Sequence, residues 1–221
     1  MLKAFSLSIA SIALLAAPSA HARPHEGGYF GLGLGYSLSI GDRGVPLELS
    51  NVPVPVDTSS PEYKEIVRTE FGSGFAFELR FGWLIGPVAP EISLAGHGTF
   101  DFENGAGYPT LGVRFHPMLL AQDLDIPFDA SVFVSAGYAI GGYQPDIIGV
   151  DSKGWEGFAL SFGLGATYQF SERIRLGFDV RFTMPFYSNF MWDNDDDIDF
   201  DPIETPSTLI VTPTVQLVAS F

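Results

Sequence analysis

Residues 71–85 read FGSGFAFELRFGWLI. Phe71, Phe75, Phe77, Leu79, Phe81, Trp83 and Ile85 occupy the odd positions, and Gly72, Gly74, Ala76, Glu78, Arg80 and Gly82 the even ones. A period of two belongs to an extended strand, whose successive side chains point to opposite faces. One face here is large and oily, the other small with a few charges. Residues 28–40, GYFGLGLGYSLSI, repeat the pattern: Phe30, Leu32, Leu34, Tyr36, Leu38 and Ile40 oppose Tyr29, Gly31, Gly33, Gly35, Ser37 and Ser39.

Working outward, six further segments share this grammar: 88–100, 108–116, 128–140, 157–170, 174–187 and 207–221. Each has the length that a tilted membrane strand needs, ~9–11 residues. The expected fold is therefore all-β, an eight-stranded antiparallel transmembrane β-barrel. Its orientation follows from volume. An eight-stranded barrel has an interior just wide enough to be filled by side chains. Several Phe and Leu from every strand would overpack it. Turned the other way, the large residues meet lipid, and the small ones leave room for Arg, Glu and His inside. In this reading the outward parity carries no charge.

Composition agrees. Charged residues are only 17%, with 25 Gly, 20 Phe and a formal net charge of −15. The acidic balance argues against nucleic acid, whose phosphates require clustered Lys and Arg. Cysteine is absent, which excludes disulfides and thiolate chemistry.

Residues 1–22 read as a cleavable signal peptide. Lys3 supplies the positive start, Ala4 to Ala17 is apolar, Pro18 interrupts, and Ala20-His21-Ala22 is an A-x-A cleavage site. The apolar run falls short of the roughly 20 residues of a spanning helix. The mature domain is expected over residues 23–221. Its connections 41–70, 101–107, 143–156 and 188–206 are long, and alternate with short turns at Gly86-Pro87 and Ser171-Glu172-Arg173. Long external loops and short periplasmic turns are the habit of outer-membrane barrels. Residues 117–127 break the rule. Met118, Leu119, Leu120 and Ile126 either extend the flanking strands or form a small cap.

The chain ends on an alternating strand with a terminal Phe221, which resembles the signal such barrels present to the barrel assembly machinery. With that feature, the mature chain resembles the small OmpA/OmpX/OmpW-type barrels. The resemblance implies the bacterial cell outer membrane, contact with its lipid and lipopolysaccharide, and periplasmic termini. No peptidoglycan-binding domain of the OmpA type is expected, the sequence ending at Phe221. Aromatic girdles are expected at Phe30, Trp83, Phe128, Tyr168, Phe170 and Phe221 on one side, and at Tyr36, Tyr138 and Phe186 on the other.

Inward parity holds Glu78, Arg80, Glu91, Arg114, Asp129, Arg175, Asp179 and Arg181, joined by His97 and His116. Acids and arginines balance, as they should if they pair across the lumen, because a buried unpaired charge is costly. Such pairs would either plug the barrel or gate a narrow pore for ions or small solutes. An enzyme acting on lipid A is a further alternative, but Gly98-Thr99 follow His97 and no nearby Ser suits that pairing. No catalytic residue is assigned.

The run from Asp193 to Glu204 is strongly acidic. Asp193, Asp195, Asp197, Asp199, Asp201 and Glu204 fall at positions one, three, five, seven, nine and twelve, where a calcium loop carries oxygen ligands. Ile198 stands where such a loop needs Gly, so this is no EF-hand. A solvated acidic loop is the plain expectation. A loose Ca²⁺ or Mg²⁺ site, bridging to lipopolysaccharide phosphates, is the alternative; no other cofactor is expected. In the first connection, Val52 to Val56 favours an extended path, and Ser60-Pro61-Glu62 could open a short helix. The expected role is structural or surface-interacting, carried by the connections 41–70 and 188–206.

Overall fold

Alternation propagates into strands around the whole circumference. The computed structural model describes residues 26–41, 72–100, 102–120, 127–143, 153–192, 198–200 and 208–221. Among them the strands are β1 (Gly27–Ile40), β2 (Gly74–Leu84), β3 (Val88–Thr99), β4 (Asn104–Phe115), β5 (Phe128–Tyr143), β6 (Lys153–Gln169), β7 (Ile174–Trp192), β8 (Ile198–Phe200) and β9 (Leu209–Ser220). Each of β1 to β6 pairs antiparallel with the next, β7 pairs with β9, and β9 with β1. That circuit closes an eight-stranded barrel without a free edge. The short β8 stands outside it, paired to the end of β7. The expected signal peptide and the loop motifs at Val52 to Glu62 lie outside the described residues.

The parity assignment holds along the strands. Leu34 is 63% exposed, Leu111 66% and Val134 57%, whereas Glu78, Arg114 and Asp179 on the other face are buried. Exposed Leu and Phe around a closed barrel are what a lipid solvent selects. Among the expected girdle residues, Phe128, Tyr168 and Phe170 form a contiguous aromatic band, with ring centroids 5.4 and 4.9 Å apart.

The two ends differ. At the turn end, Gly86 and Pro87 make a two-residue hairpin closed by Ile85 N–H to the Val88 carbonyl, 2.8 Å. Gly86 takes φ +57 there, the positive value that a type II′ turn needs at its first central residue. At the loop end several connections are shorter than the membrane-length repeat predicts. Strand structure covers residues 104–107, 141–143, 153–156, 188–192 and 198–200. The pairing continues there because backbone ladders tolerate the Gly, Tyr and Trp of these segments. Between β3 and β4, Phe102 N–H donates to the Thr99 carbonyl at 3.1 Å, and Phe102 stands at φ +64.

The longer β6 also corrects the uncharged outward face. Glu156 lies on the lipid parity, beside the buried Trp155, and accepts a hydrogen bond from Tyr138 Oη at 2.5 Å. It sits at the loop end of the strand, where a carboxylate costs far less than at mid-depth.

Residues 117–127 divide. Pro117–Leu120 forms a 3₁₀ turn, the cap of the two alternatives, and residues 121–126 lie outside the described residues. Leu119 packs against the buried cluster of Tyr29, Leu84, Ala89 and Val218 at the turn end of the lumen.

Candidate functional site

Small inward residues leave space for long charged ones, and the lumen is where these meet. On β2, Glu78 and Arg80 point inward two residues apart, and β7 presents Arg181 and Asp179 in the same way. Arg181 Nη2 donates to Glu78 Oε1 at 2.6 Å. Glu78 Oε2 accepts from Gln216 Nε2 at 3.1 Å. Arg181 also reaches Ser93 Oγ at 3.3 Å and Ser135 Oγ at 3.4 Å. One level nearer the turn end, Arg80 and Arg114 both pair with Asp179, the latter at 3.0 Å. Arg114 Nε donates to Glu91 at 2.8 Å, and Tyr29 Oη donates to the same carboxylate. Below these, His116 Nδ1 lies 2.5 Å from Asp129 Oδ2.

Seven of the eight sequence-derived charges thus meet a partner of opposite sign or a histidine. Arg175 differs: it donates to Ser220 Oγ at 3.2 Å and stands 5.4 Å from the Tyr29 ring centre. Around it, Arg175 Nε, Asp129 Oδ1, Thr167 Oγ1 and His116 Nε2 are buried without a hydrogen-bond partner among the described residues. Such atoms cost roughly 1–3 kcal/mol each if left dry, and they are not confined to this end: Arg80 Nε, Arg181 Nε and Gln216 Oε1 share the condition among the ion pairs.

Toward the loop end the lumen changes chemistry. Tyr108, Tyr143, Trp155 and Tyr187 are buried together with Ala95, Ala139, Ala159 and Ile210. His97 stacks on Tyr108, centroids 5.8 Å apart. This aromatic layer is absent from the sequence-derived site. Its signal was present, since all four large residues share the inward parity, but Tyr143 and Trp155 lie where the composition reads as a connection. From bottom to top the interior is therefore Leu119, a polar level around Arg175, cross-lumen ion pairs, and an aromatic layer.

The acidic run is placed only in part. Asp193, Asp195, Asp197, Asp201 and Glu204 lie outside the described residues, and the backbone at Asp199 is paired with Met191 in the β7–β8 ladder. Phe221 extends the last strand, its N–H donating to the Gly28 carbonyl at 2.9 Å, so the terminal aromatic lies beside the first strand.

The sequence matches no protein-family model and no curated protein. Its fold is that of small outer-membrane barrels. Neisserial surface protein A superposes with a TM-score of 0.57 at 8% identity, over 89% of this chain and 98% of that one. The outer membrane protein OprG from Pseudomonas aeruginosa gives 0.53 at 12% identity, over 90% and 99%. A major outer membrane protein from Thermus thermophilus gives 0.51 at 12% identity, over 88% and 99%.

Proposed function

We propose that the chain is an integral protein of the bacterial outer membrane with a closed lumen and a structural or surface-interaction role. The observation that carries this is the sequence of layers inside the barrel. Glu78–Arg181 and Arg80–Asp179 tie β2 to β7 across the interior, and the aromatic layer stands between them and the loop end. A solute would have to break buried ion pairs to pass, and breaking one partner out of such a pair costs about 3–5 kcal/mol. Recognition is then assigned to the connections at the loop end, 41–70 and 188–206, displayed on a rigid scaffold. Lipopolysaccharide is the natural neighbour there, with the acidic run as a Ca²⁺ or Mg²⁺ bridge to its phosphates.

One observation favours a second reading, a narrow channel for ions or small solutes. Buried polar atoms without a hydrogen-bond partner occur at several levels, Arg175 Nε and His116 Nε2 near the turn end and Arg80 Nε, Arg181 Nε and Gln216 Oε1 among the ion pairs, and water entering at these atoms would open a path. Catalysis has no comparable support. His116 is bonded to Asp129, and among the described residues no hydroxyl is bonded to it.

Single-channel recording of the refolded protein in planar bilayers separates the two readings, run beside Glu78→Ala and Arg181→Ala. A silent parent supports closure. Discrete steps in the parent, altered by either substitution, would move transport to first place and make the ion pairs its gate.

A further inference from the structure

Arg80, Arg114 and Arg181 on the inward parity each hold a carboxylate: Arg80 pairs with Asp179, Arg114 with Glu91 at 2.8 Å, and Arg181 with Glu78 at 2.6 Å. Arg175 forms no ion pair among the described residues, although it is only 3% exposed. Its contacts are the Ser220 hydroxyl, which accepts from Nη2 at 3.2 Å, and the Tyr29 ring, whose centre is 5.4 Å away. Its Nε has no hydrogen-bond partner among the described residues. A buried charge without a counter-charge is costly, and an anion beside it removes much of that cost.

The acid that could answer Arg175 is already engaged. Asp129 lies on β5, with only β6 between it and Arg175 on β7, and its Oδ2 is 2.5 Å from His116 Nδ1. Glu78, Glu91 and Asp179 are taken by the other three arginines. Around Arg175 the turn end of the lumen has two unlike walls. Tyr29, Leu84, Ala89 and Val218, with Leu119 against them, form an apolar one. The other follows the turn ends of β4 to β7. It carries Thr167 Oγ1 and His116 Nε2, which are buried without a hydrogen-bond partner among the described residues, as Arg175 Nε is. Arg175 is the second residue of β7, and His116 follows directly on β4. An ion arriving from the turn side therefore reaches this level without crossing the Glu78–Arg181 or Arg80–Asp179 pairs. The apolar wall lowers the local dielectric and strengthens the attraction of the guanidinium for it.

We propose that Arg175 is the centre of a binding site for a small oxyanion, a carboxylate or an inorganic phosphate, at the turn end of the lumen. Arg175 Nε–H and the Thr167 hydroxyl donate to it, and the planar guanidinium suits an oxyanion better than a point charge does. Lipid phosphate is kept out by the wall of the barrel, because Arg175 lies on its inward face. The site adds a ligand to the interior and is independent of what the surface connections recognise.

The experiment is equilibrium dialysis of radiolabelled phosphate, with formate as competitor, against the protein refolded in uncharged maltoside micelles at constant chloride. The parent should retain one phosphate per chain, saturably, and formate should displace it. Arg175→Met should lower retention by at least about tenfold, the weight of a hydrogen bond to a charged group. Arg175→Lys, which keeps the charge and loses the fork, should fall between the two. Thr167→Val should lower retention about threefold, the weight of a hydroxyl donor. If Arg175→Met lacks the heat-modifiable gel migration of a folded barrel, the lysine and valine variants decide. A parent that retains no phosphate would overturn the proposal, and Arg175 would then be balanced by Asp129 alone. Retention unchanged in the folded variants would overturn it as well, placing the anion elsewhere on the barrel.

Discussion

Arg181 on β7 and Glu78 on β2 form a 2.6 Å ion pair although two strands, β1 and β9, separate them in the sheet. The pair is a strut across the lumen. Removing either partner leaves a buried charge alone, so Glu78→Ala or Arg181→Ala should lower stability by about 3–5 kcal/mol. Replacing both by apolar residues of similar size, Glu78→Leu with Arg181→Met, should cost less than either single change. Urea unfolding in vesicles, followed by the heat-modifiable gel shift, measures this. A double variant no more stable than the singles would show that the strut is not an isolated pair.

The neighbouring level is expected to respond differently because its charges are shared. Asp179 serves both Arg80 and Arg114, whereas Glu91 serves Arg114 and Tyr29. Asp179→Asn strips the carboxylate paired with Arg80 and sets two guanidinium groups against each other. Glu91→Gln leaves Arg114 still 3.0 Å from Asp179. Asp179→Asn should therefore be the more damaging by ~1–2 kcal/mol or more, within the range measured for broken buried pairs. The same unfolding assay decides, and equal losses would contradict the sharing.

The rank order of these substitutions could be anticipated from sequence only in part. Parity alone put Glu78, Arg80, Asp179 and Arg181 inside, because a strand's side chains alternate without exception between bulges. Partner choice needs the register between strands far apart in the chain, and period two carries no register. Hence the balance of acids and arginines was legible, while the sharing of Asp179 was not. The loop-end layer was hidden for another reason. Gly141, Gly142 and Gly154 dilute the alternation around Tyr143 and Trp155, so a paired extension looked like a connection. The cap at Pro117–Leu120 was visible as an anomaly of length and composition, and its seat against Tyr29 and Val218 required the closed barrel.

Glycines that look alike in the sequence should behave differently when changed. A Cβ on Gly35 would lie 1.9 Å from the Pro213 carbonyl oxygen, and one on Gly137 2.1 Å from that of Pro109. Both prolines interrupt their ladders, since pairing between β9 and β1 skips Pro213 and pairing between β4 and β5 skips Pro109. Gly35 faces Thr214 and Gly137 faces Thr110, each one residue past its proline, and a glycine there lets the two backbones approach closely. Gly35→Ala and Gly137→Ala should cost more than about 3 kcal/mol or prevent folding, as overpacking at backbone does. Gly107→Ala has open space and should fall within about 0.5 kcal/mol of the parent or stabilise it. Comparable losses at all three positions would mean that the close approaches are not what selects glycine.

Leu119 allows the two means of closure to be told apart. The 3₁₀ turn that carries it is held by His116 N–H to the Pro87 carbonyl at 2.7 Å and by Leu119 N–H to the His116 carbonyl at 3.1 Å. Ala130 N–H adds a contact to Met118 Sδ at 3.2 Å. The side chain is only partly buried, so Leu119→Ala should cost about 1 kcal/mol, below the ~2–5 kcal/mol of a fully buried leucine. It should leave the bilayer recording silent, because the ion pairs and the aromatic layer above remain intact. Leu119→Asp should be worse for stability, placing a carboxylate beside Leu84 and Val218, and equally silent. If removing Leu119 alone produced conductance steps, the cap would be the seal. The charged levels would then have to be open to ions in the parent barrel, with the 3₁₀ turn as the part that moves.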